Sequence, residues 1–308
     1  MAQSSSARPV VSLVICTRNR ARQLRACLAA VGKIDCRQSW EVIIVDNGSH
    51  DDTQAVAEAF LRHQAVRGRC IVEPQPGVSR AKNTGIAASR GAIIAFTDDD
   101  CYPAADFLDR ICDIFADRRI GFIGGRILLH DPTDYPLTVN ESVETVRFAA
   151  RHVVPNAAIQ GANMAFRREA LTGVGGFDVA LGPGTPFTGE DWDVVARVCM
   201  DGWAGGYFPG PTVSHHHGRK AHEAAQQLRS YHYGSGAVFA KLVITPQTRW
   251  AYGRHWARRI LGDSKHHHRK LLHQFRGALD YWRQARRGSA AREWPAGSLK
   301  PQREPKPW

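Results

Sequence analysis

The stretch Ile93-Ile94-Ala95-Phe96-Thr97-Asp98-Asp99-Asp100-Cys101 joins an apolar run of strand length to three consecutive carboxylates. Like charges at close range repel and are costly to bury, so core packing does not explain this acidic end. If the backbone stays extended, Asp98 and Asp100 point to one side and Asp99 to the other. Two carboxylates spaced in this way suit a hard divalent cation, Mg²⁺ or Mn²⁺. The alternative is a solvated acidic turn that caps a helix beginning near 103–106.

Similar apolar runs lie on the N-terminal side of this stretch, at 10–16, 42–45 and 70–72. Amphipathic segments between them predict helices, and the alternation is typical of a mostly parallel α/β sheet with helices on both faces, a Rossmann-like architecture. Ligands of such sheets bind beyond the carboxyl ends of the strands. Thr17 and Asp46 follow two of these strands, so together with the aspartates they predict one site.

Two common phosphate-binding motifs are absent from the sequence. There is no G-x-x-x-x-G-K-[ST], and no G-x-G-x-x-G between the first strand and the first helix. A cation is therefore expected to handle phosphate groups in place of a glycine-rich loop.

Length and composition indicate an ordinary globular protein. The 308 residues suffice for one large domain, with or without an appended lobe, and 43% of them are hydrophobic. No apolar stretch approaches the ~20 residues that span a bilayer, and the start lacks the apolar segment of a signal peptide. Seven cysteines without a C-x-x-C pair fit reduced thiols. We therefore expect a cytoplasmic protein.

The order and spacing of several motifs resemble the family 2 glycosyltransferases of GT-A fold. The segments that carry the resemblance are 11–20, 41–53, 76–85, 96–100, 161–168, 174–178, 189–193 and 213–218. The resemblance implies a GT-A catalytic domain over 10–225, with a nucleotide-sugar half at about 10–128 and an acceptor half at about 129–225. It also implies transfer of a sugar from a nucleotide-diphosphate donor to an acceptor hydroxyl, with inversion and with Mn²⁺ or Mg²⁺.

The resemblance also assigns residues to the donor. The implied nucleotide-sugar-binding residues are Thr17, Asn19, Arg20, Asp46, Arg80, Lys82, Asp98, Asp99, Gly161 and Asn163. Asp46 matches the aspartate that binds the base, although 46–49 is equally typical of a tight turn. Lys82 stands where the family commonly has arginine, which replaces a bidentate phosphate contact by a point charge. The alternative for Arg80 and Lys82 is two solvated helix charges.

For the metal, the resemblance implies Asp98, Asp100 and His215 as ligands. On a strand His217 would share the face of His215, so the choice between the two histidines stays open. A second triplet, 266–268, lies among lysines and arginines and is interpreted as a solvated basic surface.

For catalysis, the resemblance implies Asp191 as the general base that deprotonates the acceptor hydroxyl, with Glu190 orienting the acceptor. The alternative is structural. Acidic residues are favoured in the first turn of a helix, and Thr188 with Asp191 has the spacing of a capping box.

The C-terminal part of the chain is strongly basic. Residues 249–308 hold 15 Lys/Arg and 4 Asp/Glu, whereas residues 1–248 hold 26 and 25. We expect a helical basic region at 226–294, with short helices or a loop at 231–241 and 254–261. The termini, 1–9 and 295–308, are expected to be disordered.

One helix of this region, 269–287, has apolar residues at helical spacing among its basic ones. They are Leu271, Leu272, Phe275, Leu279 and Trp282. Such a helix suits an anionic membrane surface, which would place the protein at the inner face of a membrane, or else its apolar residues pack on the catalytic domain. No nucleic-acid-binding motif is present, so nucleic acid is not expected as a partner.

The resemblance and the strand-end residues favour a metal-dependent glycosyltransferase. The resemblance, together with the basic tail, implies a glycan or lipid-linked acceptor and a place in glycan or cell-surface polysaccharide biosynthesis. Two alternatives are a nucleotidyltransferase that makes the sugar nucleotide and an inactive binding protein with a basic membrane-surface tail. A nucleotidyltransferase is expected to have a glycine-rich basic loop after the first strand, and 17–20 contains arginines but no glycine.

Overall fold

Strands and helices alternate over the first hundred residues, as the apolar runs predict. The computed structural model describes residues 8–64, 66–263 and 268–287. The first elements are β1 (Val11–Thr17), α1 (Ala21–Val31), β2 (Trp40–Asp46), α2 (Thr53–His63), β3 (Gly68–Val72), α3 (Val78–Ala88) and β4 (Ile93–Asp98). They are followed by β5 (Cys101–Pro103), α4 (Phe107–Phe115), β6 (Ile120–Leu129), β7 (Val146–Phe148), β8 (Asn163–Arg167), α5 (Arg168–Gly173), α6 (Glu190–Met200) and β9 (Ala204–His215). The last described elements are α7 (Ala221–Ile244), α8 (Arg249–Asp263) and α9 (His268–Arg287).

The described strands form one mixed sheet in the order β3-β2-β1-β4-β8-β6-β9-β5, with β7 paired to β9. β1 pairs in parallel with β2 on one side and with β4 on the other. β8 runs antiparallel between β4 and β6. Because the chain moves outward from β1 to β3 and then returns to β4, a crevice opens at the carboxyl ends of β1 and β4.

Helices cover both faces of the sheet. Alternate residues of β1 point to opposite faces, so Leu13 packs in one apolar cluster with α1 and α4, and Val14 in another with α3 and α6. The predicted α/β class, a mostly parallel sheet between two helical layers, is confirmed.

The C-terminal region is helical, as predicted, but the expectation of short helices was wrong. α7 is one helix of 24 residues, and the expected boundary at 225–226 falls inside it. Gly234 and Gly236 lie inside this helix and do not interrupt it. They instead allow close helix packing, because a Cβ at Gly234 would collide with Thr188 and one at Gly236 with the backbone of Gln274 in α9.

The predicted amphipathic helix at 269–287 corresponds to α9. Three predicted segments lie wholly or mostly outside the described residues. They are the N-terminus at 1–9, of which 1–7 are not described, the histidine triplet at 266–268, of which 266 and 267 are not described, and the tail at 295–308. Among the helices that the structure describes, none combines the length and the apolarity needed to cross a bilayer.

Candidate active site

A cavity of about 500 Å³ lies beyond the carboxyl ends of β1 and β4. Its volume is in the range of small-molecule sites. The predicted site residues that line it are Thr17, Arg20, Lys82, Asp98, Asp99, Asp100, Gly161, Glu190, Asp191 and His215. The cavity therefore brings together side chains from β1, α3, β4, α6 and β9 that are distant in the sequence.

Asp98, Asp100 and His215 form an acidic cluster in the lining of the cavity. β4 ends at Asp98, the chain turns, and β5 then pairs Cys101 with His215 at the end of β9. The Nε2 atom of His215 lies 3.3 Å from Oδ1 of Asp100. Burial opposes ionisation of Asp100, but its hydrogen bond to His215 lowers the pKa of its carboxyl. Burial and then the charge of Asp100 raise the pKa of Asp98.

The chemistry of this cluster fits a divalent cation. One ligand atom from each of the three side chains lies within 4.8 Å of the others, together with the buried thiol of Cys101. Carboxylate oxygen and imidazole nitrogen suit Mn²⁺ or Mg²⁺ better than a thiol does, and burial raises the pKa of Cys101 well above its usual range. His217 is outside this set. Its Nδ1 accepts the backbone N–H of Arg219 at 2.9 Å.

Asp99 points away from the acidic cluster, toward β1. Thr17 Oγ1 donates to Asp99 Oδ2 at 2.7 Å, and Arg20 Nε lies 2.9 Å from Asp99 Oδ1. The guanidinium of Arg20 also contacts Asp100 at 2.5 Å. Burial raises the pKa of Asp99 to about 7, although the charge of Arg20 opposes the rise. The side chains of Asp98 and Asp100 thus lie on one side and that of Asp99 on the other, as predicted for an extended backbone. The alternative of a helix cap is not formed, because no aspartate side chain of the triplet caps α4.

Lys82 and Glu190 form a buried ion pair between α3 and α6. The Nζ atom of Lys82 lies 2.8 Å from Oε1 of Glu190, and both side chains are almost fully buried. Burial opposes the charge of Lys82, but the Glu190 carboxylate outweighs it and raises the pKa of the amine. Lys82 is therefore a fixed positive charge inside the cavity and not a solvated helix charge.

Asp191 lies at the start of α6, beside this pair. Its Oδ2 accepts the backbone N–H of Gly161 at 2.9 Å, and its Oδ1 accepts the N–H of Trp192 at 2.7 Å. Burial, followed by the charge of Glu190, raises the pKa of Asp191 to about 6. The capping-box alternative is not formed, because the N-cap is Gly189 and no side chain caps α6.

Four predicted residues do not line the cavity, namely Asn19, Asp46, Arg80 and Asn163. The tight turn considered for Asp46 is present, since its Oδ1 accepts the N–H of Ser49. Asn163 Nδ2 donates to the carbonyl oxygens of Arg126 and Pro211, which is a structural role. Asn19 Oδ1 accepts the N–H of His50, and Arg80 is half-buried on α3. Their donor-binding roles stay predictions.

Sequence reasoning missed several side chains of the cavity wall. They are Arg18, Asn47, Gln160, Trp192, Arg219, Gln227, Tyr231 and Ser235. Arg219 directly follows the motif at 213–218, so its position was the available signal. Nothing in the local pattern marked Gln227, Tyr231 and Ser235, which α7 brings to the cavity.

The sheet and the site at its strand ends define the GT-A glycosyltransferase class. By structure, the chain resembles the mannosyltransferase PcManGT from Pyrobaculum calidifontis in complex with GDP-Man and Mn²⁺, with a TM-score of 0.62, 21% identity, and coverage of 94% of this chain and 78% of that one. It also resembles S. aureus TarS 1-349 in complex with UDP-GlcNAc, with a TM-score of 0.60, 15% identity, and coverage of 88% and 80%. At these identities the likeness shows the fold.

A comparison of the sequence with models of protein families shows which family the chain belongs to. The model of glycosyl transferase family 2 matches residues 12–174, more than half of the chain. The chain therefore belongs to glycosyltransferase family 2, as the motifs predicted.

Curated relatives are glycosyltransferases as well. Glycosyltransferase AglE of Haloferax volcanii is 36% identical over 124 residues, which is 40% of this chain. The pre-mycofactocin glycosyltransferase of Mycobacterium tuberculosis is 26% identical over 241 residues, which is 75% of this chain. The matches span 41% and 47% of the length of these two relatives.

Proposed function

We propose that the protein transfers a sugar from a nucleotide-diphosphate donor to an acceptor hydroxyl, with inversion. The observation that carries this proposal is that the Asp98–Asp100–His215 cluster and Asp191 line the same cavity. The cluster then suits the diphosphate of a donor, and Asp191 presents a carboxylate to an incoming hydroxyl. Family membership favours this reaction over nucleotidyl transfer or an inactive binding role.

Asp98, Asp100 and His215 would hold a divalent cation, Mn²⁺ or Mg²⁺. When bound, the cation neutralises the negative charge that develops on a departing nucleoside diphosphate. The structural neighbour that was solved with GDP-Man and Mn²⁺ supports this proposal.

The protein's own side chains would position the reactants. On the nucleotide side, Thr17 donates a hydrogen bond to Asp99 and Arg20 forms an ion pair with it, and Lys82 adds a fixed positive charge for phosphate oxygens. Two backbone N–H groups hold the Asp191 carboxylate in place. With a pKa near 6, this carboxylate is ionised at neutral pH and can accept the proton of the attacking hydroxyl.

We propose that two successive parts of the chain bind the donor and the acceptor. Residues of about 10–128 bind the nucleotide sugar, and residues of about 129–225 bind the acceptor, with α7 completing the cavity wall. We propose a glycan or lipid-linked acceptor, used in the biosynthesis of a glycan or cell-surface polysaccharide. Such an acceptor would bring the enzyme to the inner face of a membrane as a peripheral protein.

A thermal-shift screen of sugar nucleotides with and without Mn²⁺ or Mg²⁺ tests the donor and the metal together, because a ligand that binds only the folded state raises the melting temperature. We expect at least one sugar nucleotide to stabilise the protein more strongly with the metal, and Asp100→Ala to remove this metal-dependent part. Asp109→Ala, which breaks an ion pair with Arg37 outside the cavity, is the matched control. An unchanged metal-dependent shift in Asp100→Ala would exclude Asp100 as a ligand.

A further inference from the structure

An exposed apolar stripe runs along α9. It consists of Leu272, Phe275, Leu279 and Trp282, which are 39–49% exposed and which we call the α9 stripe. Their spacing of three, four and three residues places them on one side of the helix. Large apolar side chains that lie together on a surface indicate a contact with another apolar phase.

The adjoining side of α9 supplies the packing that holds the helix in place. Leu271, Gln274 and Tyr281 are buried, and Gln274 Nε2 donates to Ser235 Oγ in α7 at 3.2 Å. Gly277 lies so close to Tyr233 that a Cβ would collide with its carbonyl oxygen. Of the five apolar residues noted in the sequence, only Leu271 belongs to this packed side. The α9 stripe is therefore a second apolar face.

Positive charge surrounds the α9 stripe. Arg276, Arg283 and Arg286 are exposed on the same helix, and the guanidinium of Arg286 lies 3.5 Å from the ring centre of Trp282. The sequence from 249 to 287 contains eleven Lys/Arg and two Asp/Glu. A surface that is both apolar and strongly basic is complementary to one that is both apolar and anionic.

The neighbouring helix α8 also carries exposed apolar side chains. The ring of Trp256 lies 5.8 Å from that of Phe275, so α8 borders the α9 stripe. Trp250 is 84% exposed, and Leu261, eleven residues later, is exposed on the same side of α8. Arg254 and Arg258 are exposed between them. Tryptophan next to arginine is typical of segments that lie at the boundary between lipid headgroups and acyl chains.

We propose that α9, bordered by α8, docks on an anionic phospholipid bilayer, with the α9 stripe entering the headgroup region and the arginines contacting lipid phosphates. Helices of this kind bind by apolar burial together with attraction to anionic lipids. A nucleic acid would use the arginines and leave the four apolar side chains without a role. A second copy of this face would bring like charges together. Residues 288–308 hold four Lys/Arg and two Asp/Glu, so they do not complement a basic face either.

The docking surface gives a structural basis to the peripheral position proposed above, but its binding test needs no transfer activity. A loss of vesicle binding can therefore be distinguished from a loss of sugar transfer.

Sedimentation of the full chain with phosphatidylcholine vesicles, with and without phosphatidylserine, is the experiment. We expect the protein to pellet with the phosphatidylserine vesicles, and less strongly as salt is raised. Phe275→Ser with Leu279→Ser should lower the partition coefficient by about tenfold or more, because apolar burial is lost. Arg276→Gln with Arg283→Gln should lower it by about fivefold per arginine at low salt.

Val72→Ser with Val143→Ser is the matched control, since both valines are exposed but lie outside the C-terminal helices. Equal pelleting of the Phe275/Leu279 variant and the wild type would overturn the proposal. Equal pelleting of the wild type with neutral and anionic vesicles would overturn it as well. So would a result in which the substitutions abolish binding to RNA, or dissociate a dimer, while vesicle binding stays intact.

Discussion

The cavity has two walls that are built by different forces. The strand-end wall consists of Thr17, the aspartates at 98–100 and His215, and the helical wall consists of Glu190 and Asp191 on α6 with Tyr231 and its neighbours on α7. Backbone hydrogen bonds fix the strand-end wall, because β1 pairs Cys16 with Asp98 and β5 pairs Cys101 with His215. Side-chain packing fixes the helical wall, where the ring of Trp192 meets that of Phe239 edge-on at 4.8 Å.

This difference matches the separate chemical tasks proposed for the two walls. The sheet fixes the chain on either side of three carboxylates that repel one another, because β4 ends at Asp98 and β5 begins at Cys101, and this suits the proposed binding of a cation and phosphates. The helical wall presents Asp191 beside the Lys82–Glu190 pair, where burial and then the charge of Glu190 raise the pKa of its carboxyl to about 6. Lys82 joins the two walls, because it forms an ion pair with Glu190 on α6 and its charge also opposes the rise in the pKa of Asp98.

The strongest test of this separation is Asp191→Asn. We expect kcat to fall by about 10²–10⁴, the usual contribution of a general base, while the affinity for the donor stays near that of the wild type. Steady-state kinetics and calorimetry measure the two quantities. Asp201→Asn, the same change at the exposed end of α6, should alter neither. If the affinity for the donor is lost while turnover survives, Asp191 binds the donor and is not the base.

The ion pair that joins the walls can be broken from one side. Lys82→Met should destabilise the protein by about 3–5 kcal/mol, because it leaves the buried Glu190 carboxylate without a partner. Lys82→Met combined with Glu190→Leu should recover much of this loss. Urea denaturation measures both, and Arg37→Met, which breaks an exposed pair, should change little. If the double variant is no more stable than Lys82→Met, the two charges are not coupled.

The packing that positions the helical wall depends on a close approach between α7 and α9. Gly236→Ala should destabilise the protein by about 1–3 kcal/mol, because a Cβ would meet the Gln274 backbone, which cannot move aside easily. Gly253→Ala in α8 is the matched control. Its nearest neighbour would be 4.0 Å away, so the change should stabilise by about 0.5–1 kcal/mol through helix propensity. Destabilisation of both variants by the same amount in denaturation experiments would contradict this account.

The smallest expected effect is on the pH profile. Since burial raises the pKa of Asp191 to about 6, the carboxyl carries a proton below that pH and cannot accept another. The transfer rate should therefore fall by about tenfold per pH unit below pH 6 and level off above it. The residual activity of Asp191→Asn should lack this inflection. A wild-type rate that is flat from pH 5 to pH 8 would remove Asp191 from the role of base.

The strand-end wall could be predicted largely from the sequence. In a parallel sheet the carboxyl ends of the strands meet at one edge, so Thr17 and the aspartates at 98–100 had to be close. The contact of Arg20 with two aspartates could not be predicted, because it depends on side-chain geometry. The place of Tyr231 could not be predicted either. α7 reaches the cavity through its packing against Thr188, α6 and α9, and these tertiary contacts leave no mark in the local pattern.

The reach of α7 into the cavity has a practical consequence for fragments and chimeras. The segment matched by the family ends at residue 174, whereas the cavity takes side chains as late as Ser235. A fragment cut at 174 would lack Glu190 and Asp191, and one cut at 225 would end within the first turns of α7. Chimeras of family members that are made to transfer acceptor preference should therefore include α7 together with α9, which packs against it.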